Sequence, residues 1–331
     1  MPILKLLMVV FALVANTLAV AASPDWISAA PKKYPNSAYL IGRGIGSTAT
    51  EAQDRARGDL VAIFEVRVEV ATGSNTTVTR TGKGEQVSKV STQTVSTKTD
   101  KVIGGINIAD VWRDPETSDF HALAVLSRAQ AAASLKEEIG KIDTAVQLEM
   151  DKAKTATDPL LKIGALARAM ETATKRDGFQ ASLKAIDPSG RGVEAAIPQT
   201  VIRSQLDDAI KEVKVSSAVE EDGGVAEFAS ILKGGLAASG FLAQGAAKAD
   251  FVLVGKLNLD DLGRRDNWNW MRGTLEIALI EKESGRVRGS KTWPIKAAAQ
   301  NATTARKRVL IEAEKLLKRE LKTIIIEFAT S

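Results

Sequence analysis

The spacing of apolar residues changes several times in the N-terminal third, and each change predicts a different element. Residues 38–41 form a short apolar run that predicts a strand. Thr48 and Glu51 then have the spacing of a capping box, which marks a helix start. The apolar residues that follow at helical spacing are Ala52, Ala56, Leu60 and Ile63. Residues 64–70 instead alternate between apolar and charged, so the period falls from about 3.6 to 2 and predicts a half-buried strand.

Residues 72–100 leave two interpretations open. Roughly half of them are Ser or Thr, with Val residues between. Because Thr favours strands, we favour a long exposed β-hairpin, and a mobile loop is the alternative. Strands are predicted again over 106–112 and 120–126, separated by the turn-forming residues 114–119, and a helix begins near Arg128.

Residues 136–200 predict a helical connector. Apolar residues recur every three or four positions over 135–150 and again over 160–170, and Pro159 suits the first turn of the second helix. Two consecutive helices or a helical hairpin both fit this pattern. Pro and Gly over residues 187–198 then mark a linker.

Residues 201–331 predict a second sheet-and-helix domain. A short strand around Val213 and a helix over 228–241 precede three strands, at 251–259, 275–279 and 287–295. A long C-terminal helix follows, with one apolar stripe made of Leu310, Ala313, Leu317, Leu321, Ile324 and Phe328. The order is strand–helix–strand–strand–strand–helix.

These patterns predict an α+β fold of two small sheet-plus-helix modules, each in the order strand–helix–strand–strand–strand–helix. The modules cover residues 23–135 and 201–331, and the helical connector with its linker covers residues 136–200.

The N-terminus has the layout of a secretory signal peptide over residues 1–22. Lys5 precedes an apolar run that is broken at residues 16–17, which makes it short for a membrane span of about 20 apolar residues. Small residues then supply an A-x-A pattern, so we expect cleavage after Ala21 or Ala22 and a periplasmic mature protein. An uncleaved anchor helix is the alternative.

The composition narrows the classes of function. The 331 residues include 45 Lys+Arg, 40 Asp+Glu, one His and no Cys. Without Cys, disulfides, thiolate zinc sites, iron–sulfur clusters, a cysteine nucleophile and a lipid anchor on cysteine are excluded. The single histidine, His121, lies inside a predicted strand on the face opposite Phe120, and we expect a satisfied, partly exposed side chain. We predict no cofactor, no metal site and no catalytic residue.

Gly42, Gly44 and Gly46 match a dinucleotide-binding loop only in part. They follow a strand and precede a helix, but the G-x-G-x-x-G pattern requires glycine where this chain has Ser47. We therefore interpret the glycines as a tight bend at the strand–helix junction and predict no nucleotide site.

The most unusual tetrapeptide is Asn-Trp-Asn-Trp at residues 267–270, between two predicted strands. If it lies at a hairpin tip, Trp268 and Trp270 beside Arg264 and Arg265 form a contact surface for a protein or a glycan. The alternative is that one Trp packs in the core and the other caps an edge.

Two charged groups have simpler explanations. The aspartates at 260, 261 and 266 lack EF-hand spacing and a terminal bidentate Glu, so we predict no calcium site. The C-terminal helix carries seven Lys or Arg against four Glu. It could lie on anionic lipid at the outer membrane, but we favour packing of its apolar face on its own sheet. Export and the mixed charge signs argue against nucleic-acid binding.

Five segments of the first module resemble the LPP-twenty (LPP20) lipoprotein family, which is similar to the module that opens the flagellar protein FlgT. They are Pro-Asp-Trp at 24–26, Tyr-Leu-Ile-Gly-x-Gly at 39–44, the helix over 51–60, Val-Trp-Arg-Asp at 111–114 and Ala-Leu-Ala-Val-Leu-Ser-Arg at 122–128. The resemblance implies a small α+β module without established catalytic residues. The chain lacks the lipobox cysteine of that family.

The second module resembles the periplasmic module shared by CsgG, LpoB and the TolB N-terminal domain, through its element order and the segment Ala-Asp-Phe-Val-Leu-Val-Gly at 249–255. That resemblance implies an accessory factor of the cell envelope. We therefore predict a non-enzymatic, exported protein that binds envelope proteins or peptidoglycan-associated machinery and forms homo-oligomers. The alternatives are a structural part of a flagellar or secretion apparatus and a cell-wall glycan hydrolase, which would need two carboxylates facing one cleft.

Overall fold

The structure, a computed structural model, describes residues 23–72, 104–220 and 227–330. The predicted signal peptide and residues 73–100 of the predicted Ser/Thr-rich hairpin lie outside the described residues. The chain divides into two compact units: unit 1 comprises the residues up to Gly140 with Asp177–Glu194, and unit 2 comprises Lys141–Arg176 and the residues from Ala195 onward. Helices combined with two sheets confirm the α+β class.

Unit 1 contains a three-stranded antiparallel sheet covered by one long helix. Its elements in chain order are α1 (Asp25–Ser28), β1 (Tyr39–Gly46), α2 (Ala49–Thr72), β2 (Asn107–Arg113) and β3 (Phe120–Ser127). The strand order is β1-β3-β2, so β3 is central and its residues 122–126 are all buried. Helices α3 (Arg128–Thr155) and α4 (Pro159–Ile186) follow, and each contributes residues to both units.

Glycines along β1 let α2 lie directly on the sheet. A Cβ added at Gly42 would overlap the backbone of α2 at Ala56 and Leu60, and one at Gly44 would overlap it at Ala52 and Ala56. The interpretation of Gly42, Gly44 and Gly46 as a bend is therefore wrong. All three lie within β1 and pair with β3. Glycine is required at these positions because the helix approaches the strand too closely for a side chain.

The strand predicted over residues 64–70 is also wrong, because α2 continues to Thr72. Phe64 is buried and lies four residues after Leu60, so it extends the helical stripe that packs on the sheet. Val66 and Val70 are exposed at 59% and 77%, so the alternation in this segment corresponds to no buried face. Once the helix has started, each further residue adds a backbone hydrogen bond, and the packed Phe64 stabilises this extension.

Helix α1 packs on the other face of the same sheet through Trp26, which is buried. Its indole Nε1 donates to Asp110 Oδ2 on β2 at 2.8 Å. The Arg43 guanidinium donates to the Trp26 carbonyl at 2.9 Å and to the Ala29 carbonyl at 2.8 Å. The polar groups of this short segment are therefore used to hold it on the sheet.

Unit 2 has a five-stranded sheet with the order β5-β4-β6-β7-β8. Its elements are α5 (Gln199–Glu212), β4 (Lys214–Val219), α6 (Phe228–Ser239), β5 (Leu242–Ala243), β6 (Phe251–Arg265), β7 (Trp268–Glu281), β8 (Val287–Ala299) and α7 (Ala302–Thr330). β4 runs parallel to β5 and β6, and the other pairs are antiparallel. The predicted order of elements is found, with α5 and the two-residue β5 in addition.

The C-terminal helix α7 covers one face of this sheet, as predicted. Its buried residues are Ala305, Val309, Ala313, Leu317, Leu321, Ile324, Ile325 and Ala329. Glycines again permit the approach, because a Cβ at Gly273 would overlap Val309 and one at Gly289 would overlap Phe328. The apolar stripe belongs to the core of unit 2 and is not available to a lipid surface. Among the described residues, no helix has both the length and the apolar character needed to cross a bilayer.

Of the two arrangements left open for the connector, the structure has the helical hairpin, because Arg168 and Arg176 on α4 donate to Glu149 and Asp143 on α3. Asp158 lies at the turn of this hairpin. Asp158 Oδ1 accepts from the Leu160 N–H at 2.7 Å at the start of α4, and Oδ2 accepts from the Arg288 guanidinium on β8. Burial would raise the pKa of the Asp158 carboxyl, but the bonds from Arg288 and Leu160 hold its pKa below the usual value. One carboxylate therefore caps a helix and neutralises an arginine whose side chain is only 10% exposed.

The glycine contact in unit 1 predicts a loss of stability for Gly44→Ala. The added methyl meets backbone atoms that cannot rotate away, so we expect the free energy of unfolding to fall by about 3 kcal/mol. Urea unfolding followed by circular dichroism measures it. Gly58→Ala on the exposed side of α2 is the control and should gain about 0.5–1 kcal/mol, because its Cβ meets open space. Wild-type stability of Gly44→Ala would contradict the close approach.

Asp158→Ala should lower the free energy of unfolding by about 2 kcal/mol at pH 7, because it removes a helix cap and leaves Arg288 without this partner. The folded pKa of Asp158 is depressed. Its stabilisation is therefore present above the unfolded pKa of about 3.9 and is lost as the pH falls through the folded value. Urea unfolding of both proteins at pH 7 and at about pH 3 checks whether the difference shrinks in acid.

Asp151→Ala, which removes an exposed carboxylate at the end of α3, is the control and should change stability by less than about 0.5 kcal/mol. An equal cost of Asp158→Ala at both pH values would show that the charge of this carboxylate does not contribute.

Candidate functional site

The tetrapeptide at 267–270 does lie at a hairpin tip, where β6 turns into β7. The two turn residues, Asp266 and Asn267, have φ of 52° and 63°. Positive φ at both central positions is the geometry of a type I′ turn, which Asn and Asp tolerate better than other side chains. The turn pairs Arg265 with Trp268 and so sets the register of the hairpin.

Strand alternation decides which side chains share a face in this part of the sheet. Along β7, Met271, Gly273 and Leu275 are buried beneath the helices. The residues between them, together with Trp268 and Trp270, therefore point to the opposite side. We call the exposed residues of that side near the turn the open face: Asp260, Arg265, Trp268, Trp270, Arg272, Pro294 and Lys296.

Both tryptophans of the open face are exposed, Trp268 at 43% and Trp270 at 38%. Directly opposite Trp270 stand Gly263 on β6 and Ala298 on β8, so its partners on both neighbouring strands are small. Trp268 stands opposite Arg265. Neither indole belongs to the buried core, so the pair does not divide into one core residue and one edge residue.

Trp293, on the neighbouring strand β8, is buried, in contrast to the two exposed tryptophans. It is buried at 9% exposure on the helix side of the sheet, and its Nε1 donates to Glu320 Oε2 on α7 at 2.9 Å. Burial would raise the pKa of Glu320, but hydrogen bonds from Arg319 and Trp293 hold its pKa below the usual value. This tryptophan is a structural residue.

The cations near the turn separate into two groups. Arg272 stands between Asp260 on β6 and Lys296 on β8, on the same face as the exposed tryptophans. Arg264 pairs with Asn269, so it lies on the opposite face, where its Nη2 is 3.4 Å from Asn267 Oδ1.

Three of the four residues that the sequence singled out are therefore together, namely Trp268, Trp270 and Arg265, and Arg264 is not with them. Sequence reasoning missed Arg272 and Lys296. Alternation from Trp270 could have indicated Arg272, whereas Lys296 required the register of β8.

The other polar candidates have local roles. Asp261 accepts from the Gly263 N–H at 2.8 Å at the bulge of β6. His121 is half-buried, with its ring centroid 5.4 Å from that of Trp112 on the adjacent strand. Within residues 23–72, 104–220 and 227–330, no group of three His, Asp or Glu residues is arranged to hold a metal ion.

Residues 24–127 match the family model of the LPP20 lipoproteins, which agrees with the resemblance of the first module. No curated protein matches the chain. A resemblance of residues 201–331 to a second family stays a prediction.

Solved structures give distant likenesses. A secreted protein of Helicobacter pylori aligns with 88% of this chain and 97% of its own, at 11% identity and a TM-score of 0.42. A minor lipoprotein of Acinetobacter baumannii aligns with 35% of this chain and 92% of its own, at 15% identity and a TM-score of 0.29.

The difference between the tryptophans predicts different effects on stability. Trp268→Ala and Trp270→Ala should each change the free energy of unfolding by less than about 1 kcal/mol, because both side chains are exposed. Trp293→Ala should lower it by about 3–5 kcal/mol, because it leaves a cavity and removes the bond to Glu320. Urea unfolding compares the three variants, and loss of folding in either exposed-site variant would make that tryptophan a structural residue.

Proposed function

We propose that this protein is an exported, non-enzymatic accessory factor of the cell envelope that binds another envelope component through the open face. One observation carries the proposal: two exposed indoles lie beside Arg265, Arg272 and Lys296 on a sheet face that the helices of unit 2 leave uncovered. Tryptophan and arginine are the side chains that most often dominate binding energies when a partner excludes water from them.

Export and envelope location are supported by two features of the chain. The first 22 residues have the sequence pattern of a signal peptide, and residues 24–127 match a family of lipoproteins. The proposed location of the exported protein is the periplasm, with peripheral association with the outer membrane.

Binding without chemistry is supported by how three carboxylates of the described residues are used. Asp158 caps α4 and pairs with Arg288, and Asp110 holds the indole of Trp26. Asp143 accepts two hydrogen bonds from Arg176, at 2.6 and 3.2 Å. These groups hold elements of the fold in place. The proposal extends to self-association, in which copies of the chain present several open faces to one partner and gain avidity.

The test is crosslinking in intact cells followed by affinity purification from the envelope. Wild-type protein should recover a defined envelope component. The double variant Trp268→Ala/Trp270→Ala should recover at least tenfold less of it, because truncating an interface hot spot costs about 2 kcal/mol or more of binding free energy. Leu148→Ala removes another exposed apolar side chain, on α3, and is the matched control. It should behave as wild type.

Equal recovery by all three proteins would remove the open face from the proposal. Measurable turnover of a cell-wall substrate by the purified chain would remove its non-enzymatic part.

A further inference from the structure

The two exposed tryptophans form a narrow strip along β7. Trp268 and Trp270 are two residues apart on one strand, so their side chains leave the sheet about 7 Å from each other on the same side. Gly263 and Ala298 flank Trp270 on the two neighbouring strands. The small partners leave room across the strands for a flat ring beside the indole, and aromatic faces are general platforms for stacking of ring-shaped ligands.

Cations border this strip. Arg265 is paired with Trp268. Arg272 follows Trp270 by two residues on the same face of β7, and Lys296 is paired with Arg272 on β8. The carboxylate of Asp260, opposite Arg272, offsets only part of their charge. Guanidinium groups bind carboxylates and phosphates through paired hydrogen bonds, and a lysine adds a point charge. The open face therefore favours an anion.

The same side of the sheet continues away from the turn with polar side chains. Thr274 on β7 is flanked by Asn258 and Pro294, and Thr292 lies opposite Glu276, whose other neighbour is Lys256 on β6. The hydroxyl and amide groups of Thr274, Thr292 and Asn258 suit a ligand that is itself rich in hydroxyls. Protein interfaces instead have an apolar centre from which Lys, Glu and Asp are depleted, whereas this face places Lys296 and Asp260 next to Arg272.

We infer that the open face binds an anionic glycan, that is, a sugar polymer bearing carboxylate or phosphate groups. Trp268 and Trp270 stack on sugar rings, and Arg265, Arg272 and Lys296 pair with the acidic groups. This inference rests on the proposed function, because it names the ligand class of the same face.

The test uses the full chain and two pairs of polymers. Polygalacturonate carries carboxylates, and its methyl ester is the neutral counterpart. A phosphomannan carries phosphates, and the dephosphorylated mannan is the neutral counterpart. We expect binding to at least one acidic polymer and at least tenfold weaker binding to its neutral form, measured by calorimetry. Raising the salt concentration should weaken the binding, because exposed charges are screened.

Three variants assign the binding to the face. Trp268→Ala/Trp270→Ala and Arg272→Gln/Lys296→Gln should each bind at least tenfold more weakly than wild type. Arg264→Gln/Lys291→Gln removes the same charge from the opposite side of the hairpin and of β8, since Lys291 pairs with the buried Ile277. This control should bind within twofold of wild type.

The outcomes separate the inference from the function on which it rests. Absence of binding to both acidic polymers, equal binding of the neutral forms, or equal losses in the control variant would overturn the glycan inference. If envelope crosslinking still recovers a protein in a Trp268- and Trp270-dependent way, the proposed function stands and only the ligand class is wrong. If no component of any class depends on these tryptophans, both are wrong.

Discussion

The structure depends on close approach between helices and sheets at residues that have no side chain. In unit 1, α2 rests on Gly42 and Gly44 so closely that a methyl group at either position would occupy the space of helix backbone. In unit 2, Gly273 and Gly289 give the same room to side chains of α7. Because interiors are packed as densely as crystals, such contacts determine which face of each sheet a long helix covers.

One-sided covering by α6 and α7 has a direct consequence for function. Side chains of a strand alternate between the two faces, so the part of the sheet near the β6–β7 turn places every second residue outside. Trp293 and Trp270 lie on adjacent strands and differ in which face they occupy: Trp293 bonds to Glu320 under α7, whereas Trp270 is exposed. The same residue type is part of the core in one case and exposed to solvent in the other.

The charged residues of unit 2 also fall into two groups, one that holds elements of the fold together and one that is exposed to solvent. The carboxyl groups of Asp158 and Glu320 have lowered pKa values because each accepts hydrogen bonds from an arginine and a second donor. These carboxylates hold α4 and α7 in place. Removing one of them would leave its arginine without that partner, which lowers stability. The cations of the open face instead lie on neighbouring strands and are exposed to solvent, so their fields add at this face.

The sequence by itself determined several features that rest on local chemistry. These include the start of α2, where the Thr48 hydroxyl accepts from the Glu51 N–H, the proline start of α4 and the apolar stripe of α7. Tertiary structure decided the rest. Whether residues 64–70 form a helix or a strand depended on the packing of Phe64 against the sheet, and the role of Gly42 and Gly44 depended on a helix that follows them. Strand register placed Arg264 on the face opposite Trp268 and placed Lys296 beside Arg272. Register is a long-range property because it is set by the partner strands and by which face is covered.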